Sequence, residues 1–178
     1  MVAPLAENWQ QRVIVRRTDD GDLASLVAEN LEALGLREAL AGAKQVFLKP
    51  NLVSDVPEYI AAGSNTDVRI IEAVLQALQG FAGKVLLGES ETGTRYKGRR
   101  LALALENMGV PRLQERYDFE IVNLTEAEQR LVTIPQGRFL KQLPLSVPLL
   151  ESDLIINLPK LKTHKYATIT CALKNMFG

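Results

Sequence analysis

The chain has 178 residues, 47% of them hydrophobic, and its 21 basic side chains balance 21 acidic ones. That length suits one domain, able to bury roughly 70% of the surface that the unfolded chain exposes, and the charge balance argues against nucleic-acid or anionic-membrane partners. The lone cysteine, Cys171, excludes an internal disulfide and cannot by itself hold an iron–sulfur cluster or a structural zinc.

The opening MVAPLAENWQQR has neither the basic start nor the apolar run of a signal peptide, and nothing approaches the ~20 apolar residues of a membrane span. A cytoplasmic location is expected. Residues 1–178 contain no repeat, linker or composition shift, so one α/β domain is expected throughout. β-branched runs alternate with segments of helical period, which implies a mostly parallel open sheet with helices on both faces.

The first strand is expected at Arg12–Arg17. Asp22 then caps a helix with Leu23, Leu26, Val27, Leu31 and Leu34 on its apolar face, closed at Gly35. A strand follows at Gln45–Leu48. Thr66 and Asp67 open a further helix in which Ile71, Val74, Leu75 and Leu78 recur at helical spacing. Val85–Leu87 is a buried strand, Leu101, Ala104, Leu105 and Met108 repeat the helical stripe, and Glu120–Asn123 is a strand. Leu131–Ile134 and Phe139–Leu143 suggest a hairpin. Leu154–Leu158, apolar on both faces, reads as a central strand, and Thr168–Gly178 as a helix carrying Ile169, Leu173 and Met176.

In an open parallel sheet the ligand crevice lies beyond the carboxyl ends of the strands. Three such ends deliver polar groups: Lys49-Pro50-Asn51, Gly88-Glu89-Ser90, and Pro159-Lys160-Leu161-Lys162-Thr163-His164. Pro50 and Pro159 favour extended backbone before them, so Lys49 should face the same way as Asn51, and Lys160 the same way as Lys162. The last 25 residues hold four lysines, three threonines and the chain's single histidine, with no acidic residue. Such a run after a buried strand points to an anion pocket, although each lysine also reads as an ordinary solvated side chain. A helix starting at Thr168 would add free N–H groups toward the anion.

Glu89 and Glu91 could join His164 around a divalent metal, but the spacing is not diagnostic and no metal site is assigned. The polar loop Glu89–Gly98 matches neither nucleotide fingerprint. Its neighbours Arg95, Lys97, Arg99 and Arg100 read as a basic rim, Cys171 as a small buried hydrophobe and Trp9 as an edge of the core.

Lys49-Pro50-Asn51, Thr66-Asp67, Gly88-Glu89-Ser90, Ile156-Asn157-Leu158-Pro159-Lys160-Leu161-Lys162-Thr163-His164 and Leu173-Lys174-Asn175-Met176-Phe177-Gly178 occur in that order. With them the chain resembles domain-of-unknown-function family 362 from about residue 12 to its last residue. Val68 departs from the proline that usually follows Thr-Asp in that family. The resemblance implies the amino-terminal part of a longer domain, because family members usually continue beyond this Phe-Gly. Many relatives carry ferredoxin-type cysteine clusters, which imply electron-transfer contexts.

The first functional expectation is a small anionic ligand, phosphorylated or carboxylated, bound with or without catalysis. Lys49, Lys160, Lys162 and Lys174 would hold it; Asn51, Ser90, Thr163, Thr170 and Asn175 would orient it; His164, Glu89 and Lys160 are the candidate catalytic groups. The alternative is a non-catalytic module of a redox system that docks an acidic protein such as a ferredoxin. No cofactor is named by the sequence.

Overall fold

The computed structural model describes residues 13–18, 22–91 and 100–177. Residues 13–18 form no strand, and Val13 and Val15 are exposed. The expected first strand is therefore absent over 13–17, with Arg12 outside the described residues. Three β-branched residues followed by two arginines offer little area to bury, and strand propensity is mostly fit to a half-covered surface.

Helix α1 (Leu23–Ala33) begins where expected, with Asp22 accepting the Ala24 N–H at 3.2 Å. It closes into Gly35, whose φ of 88° is left-handed, before a short α2 (Leu36–Leu40) that the sequence pattern had not indicated. Strand β1 (Gln45–Pro50) follows, then α3 (Pro57–Ala61) and α4 (Val68–Ala77), then β2 (Lys84–Glu89). Asp67 caps α4 by accepting the Arg69 N–H at 2.9 Å, and the stripe Ile71, Val74, Leu75 and Leu78 is buried as its spacing required. Helix α5 (Arg100–Met108), a 3-10 turn (Val110–Glu115) and β3 (Glu120–Asn123) come next. The antiparallel hairpin β4 (Gln129–Thr133) and β5 (Gln142–Ser146), then the single turn α6 (Val147–Leu150), lead to β6 (Leu154–Leu158).

The main sheet is parallel throughout, in the order β3-β2-β1-β6. This is the α/β architecture that the sequence implies, with unequal helical cover. On one face Val46, Leu48, Val85 and Leu87 join Ile71, Val74 and Leu105 in the main core, against which α1 and α2 also pack. On the other, Phe47 and Leu86 meet Leu124 and Leu149 of α6 in a smaller cluster. Among the described residues β6 is an edge strand rather than a central one: it pairs there with β1 alone, and Ile155 is 38% exposed. Its apolar run belongs to a strand with one partner and thin cover.

Beyond β6 the chain turns back as a second hairpin, β7 (Lys162–His164) with β8 (Thr168–Thr170), and ends in the single turn α7 (Ala172–Asn175). The expected helix over Thr168–Gly178 is thus replaced by a strand and one turn. Thr168 has a φ of 62°, and His164 Nδ1 accepts the backbone N–H groups of Tyr166 and Ala167 at 3.1 Å. These contacts close the hairpin with Thr168 in the left-handed region and leave Ile169 and Thr170 in the strand, as β-branched residues prefer.

Candidate functional site

From β1 the chain steps outward to β2 and β3, then returns to lay β6 on the other side of β1. The strand order reverses at β1, and crevices of open α/β sheets form at such a point. A cavity of about 340 Å³ lies there, lined by Asn51, Leu52 and Val53 after β1, Glu89, Ser90 and Glu91 at the end of β2, and Arg100, Thr170, Lys174 and Asn175. A second hollow of about 850 Å³ sits on the opposite side, at the amino ends of β1 and β2, along stretches such as Ala41–Lys44 and Gln79–Lys84. It is lined by none of the buried polar atoms that lack partners.

Local bonds fix the cavity walls. Thr66 Oγ1 accepts the Asn51 N–H at 2.9 Å and donates to the Leu158 carbonyl at 2.6 Å, tying the exit of β1 to the exit of β6. Asn65, buried, accepts the N–H groups of Val53 and Ser54 and donates to the Ser54 carbonyl, which shapes the next stretch. Asn157 and Asn175 bring the end of the chain to β1: Asn175 Nδ2 donates to the Lys49 carbonyl at 3.0 Å and to Asn157 Oδ1 at 2.7 Å. Glu91 accepts the Leu101 N–H at the start of α5 and the Asn123 amide, each at 3.0 Å. Arg100 is held by Asp55, whose carboxyl this bond keeps below the usual carboxylate range.

The expected site residues separate into three groups. Asn51, Glu89, Ser90, Thr170, Lys174 and Asn175 meet at the cavity. Lys49 is buried and forms an ion pair with Glu89, whose other oxygen accepts the Ser90 N–H at 2.8 Å. Burial pushes the Lys49 ammonium below the ordinary lysine range, partly offset by the Glu89 charge. Lys49 and Asn51 therefore part ways at the strand end, one into an internal pair and the other onto the cavity wall. Lys160 lies beside Gly63, where an added Cβ would come within 3.4 Å of its Nζ, and Lys162 donates to the Ser64 carbonyl. The Lys162 ammonium is pushed down by burial first, then by the charges of Lys174 and Lys160. Thr163 and His164 lie on the β7–β8 hairpin away from the cavity lining, where His164 binds the turn backbone. Cys171 is exposed rather than buried.

The sequence reading missed Thr66, taken for a helix cap, and Asn157. The second had a visible signal, since a carboxamide inside Leu154–Leu158 needs a partner once the strand is covered.

Fold and cavity together define an α/β domain with a polar pocket at the strand ends. The chain belongs to the family described as Domain of unknown function (DUF362), whose model matches residues 46–178. It is 31% identical over 159 residues to the thylakoid-associated protein sll1697 of Synechocystis sp., an alignment covering 89% of this chain and 46% of that protein. The chain thus spans about half the length of that curated relative. No solved structure matches it. Among the described residues no helix is long and apolar enough to cross a membrane, and no group of three or more His, Cys, Asp or Glu side chains is placed to hold a metal ion.

Proposed function

We propose that this domain is a cytoplasmic binding module for a small anionic molecule, phosphorylated or carboxylated, seated in the strand-end cavity with its negative group toward Lys174 and the neighbouring Lys162 and Lys160. The observation that carries the reading is Lys174 on the cavity wall, with no acidic partner among the described residues, repelled by Lys162. Neighbouring ammonium groups repel, and an anion placed among them relieves that repulsion. Glu89, at the inner wall and charge-paired with Lys49, is the group positioned for proton transfer if the ligand reacts. Titration with inorganic phosphate by calorimetry tests this. Lys174→Ala should weaken binding about ten-fold, the loss of one charge-assisted contact, with smaller losses for Lys160→Ala and Lys162→Ala. Unchanged affinity in all three variants would remove the proposal.

A second reading has its own support. The β7–β8 hairpin and α7 expose Leu161, Tyr166, Ile169, Leu173 and Phe177 beside Lys165, a mixed basic and apolar surface of the kind that docks an acidic protein such as a ferredoxin. Affinity for such a partner would fall steeply between low and moderate salt, whereas binding inside the cavity would fall less.

A further inference from the structure

Besides Lys174 the cavity lining carries a different chemistry. Asn51 Oδ1, Thr170 Oγ1 and Asn175 Oδ1 are all buried, all without a hydrogen-bond partner, and all three residues line this one cavity. Thr170 and Asn175 are only 3% exposed. Buried polar atoms in folded proteins are nearly always bonded, so three orphans on residues of one cavity mark a surface shaped for something else.

The Asn175 amide cannot simply be turned around. Its Nδ2 serves two acceptors, the Lys49 carbonyl and Asn157 Oδ1, and the Asn157 orientation is fixed in turn by its own Nδ2 donating to the Ala172 carbonyl at 3.0 Å. The side-chain atom of Asn175 left without a partner is therefore an acceptor. Glu91 adds a carboxylate to the same lining, held by N–H groups with no described cation paired to it, and Ser90 spends its hydroxyl proton on Glu89. A bare phosphate would satisfy Lys174 and could accept the Thr170 hydroxyl proton, but it would face the Asn175 oxygen and the Glu91 carboxylate with oxygens of its own. Hydrogen-bond donors, and above all a positive one, satisfy them.

Resting on the reading of the cavity as an anion site, we propose that its ligand is a small zwitterion: a primary ammonium bound by Asn51 Oδ1, Thr170 Oγ1 and Asn175 Oδ1 near Glu91, and a phosphate or carboxylate bound at Lys174. The class is that of amino acids and aminoalkyl phosphates.

Calorimetry with matched probes tests the assignment on the unaltered chain. Phosphoethanolamine should bind about ten-fold tighter than ethyl phosphate, and β-alanine tighter than propionate by a similar factor. Thr170→Val, which keeps the side-chain shape, should narrow the preference for phosphoethanolamine over ethyl phosphate to about three-fold, with circular dichroism confirming the fold. If ethyl phosphate binds at Lys174 as tightly as phosphoethanolamine, the zwitterion is wrong while the anion site stands. Failure of all four probes to bind would overturn both. A preference that survives Thr170→Val undiminished would overturn the assignment of the ammonium to this wall.

Discussion

Replacing Lys49 by methionine keeps the length of the side chain and removes its charge, so it isolates what the buried pair contributes. The Lys49 and Glu89 side chains are 2% and 6% exposed. Without the ammonium, Glu89 retains the Ser90 N–H at 2.8 Å and a long contact to the Leu52 N–H at 3.5 Å. A buried carboxylate stripped of its counter-charge costs about 3–5 kcal/mol, a large share of the 5–15 kcal/mol typical of a domain. At roughly 2–4 °C per kcal/mol for a chain of this size, the melting temperature should fall by about 6–20 °C. The double variant Lys49→Met/Glu89→Gln removes the stranded charge while keeping an acceptor for Ser90, and should regain more than half of the loss. Urea unfolding followed by circular dichroism measures both. A single variant within about 1 kcal/mol of the parent, or a double variant no better than the single, would refute the view that the pair is closed to solvent and mutually dependent.

Two further outcomes concern the sheet and the basic cluster. At Gly88 an added Cβ would lie 2.6 Å from the Val122 carbonyl and 2.8 Å from Phe47 Cζ, so Gly88→Ala should cost about 1–3 kcal/mol by overpacking, read as a lower urea midpoint. Lys162 holds its proton less tightly folded than unfolded, its affinity lying below the ordinary value of 10.5. The unfolded chain therefore binds more protons as pH rises toward that value, and Lys162 should add stability on the alkaline side. Urea midpoints should accordingly rise more, or fall less, between neutral pH and about pH 10 for the parent than for Lys162→Met, and parallel curves would contradict the assigned burial and charge repulsion.

Much of the scaffold was legible because its signals are local. Val46 to Leu48 and Val85 to Leu87 are short apolar runs that only a covered strand explains, and the Ile71, Val74, Leu75, Leu78 stripe has one period. The carboxyl ends of β1, β2 and β6 lie along one edge of the parallel sheet, while the cavity there is lined from the exits of β1 and β2 and not by residues 159–164. What each polar side chain does there was not legible, since it depends on partners far away in sequence: Lys49 is taken by a glutamate 40 positions later, and Lys162 by a backbone carbonyl 98 positions earlier. The end of the chain misled for another reason. Ile169, Leu173 and Met176 satisfy helical spacing, yet three apolar residues are too few to outweigh the extended preference of Thr168 to Thr170 and the hold of His164 on its turn.

The bond from Asn175 to the Lys49 carbonyl spans 126 positions. During synthesis, strands β1, β2 and β3 can associate before Asn175 leaves the ribosome, whereas the wall that Thr170, Lys174 and Asn175 supply is added only afterwards. The segment from Thr170 to Asn175 therefore docks onto a ladder already in place, and a chain interrupted before it would keep β1, β2 and β3 together while lacking that side of the pocket.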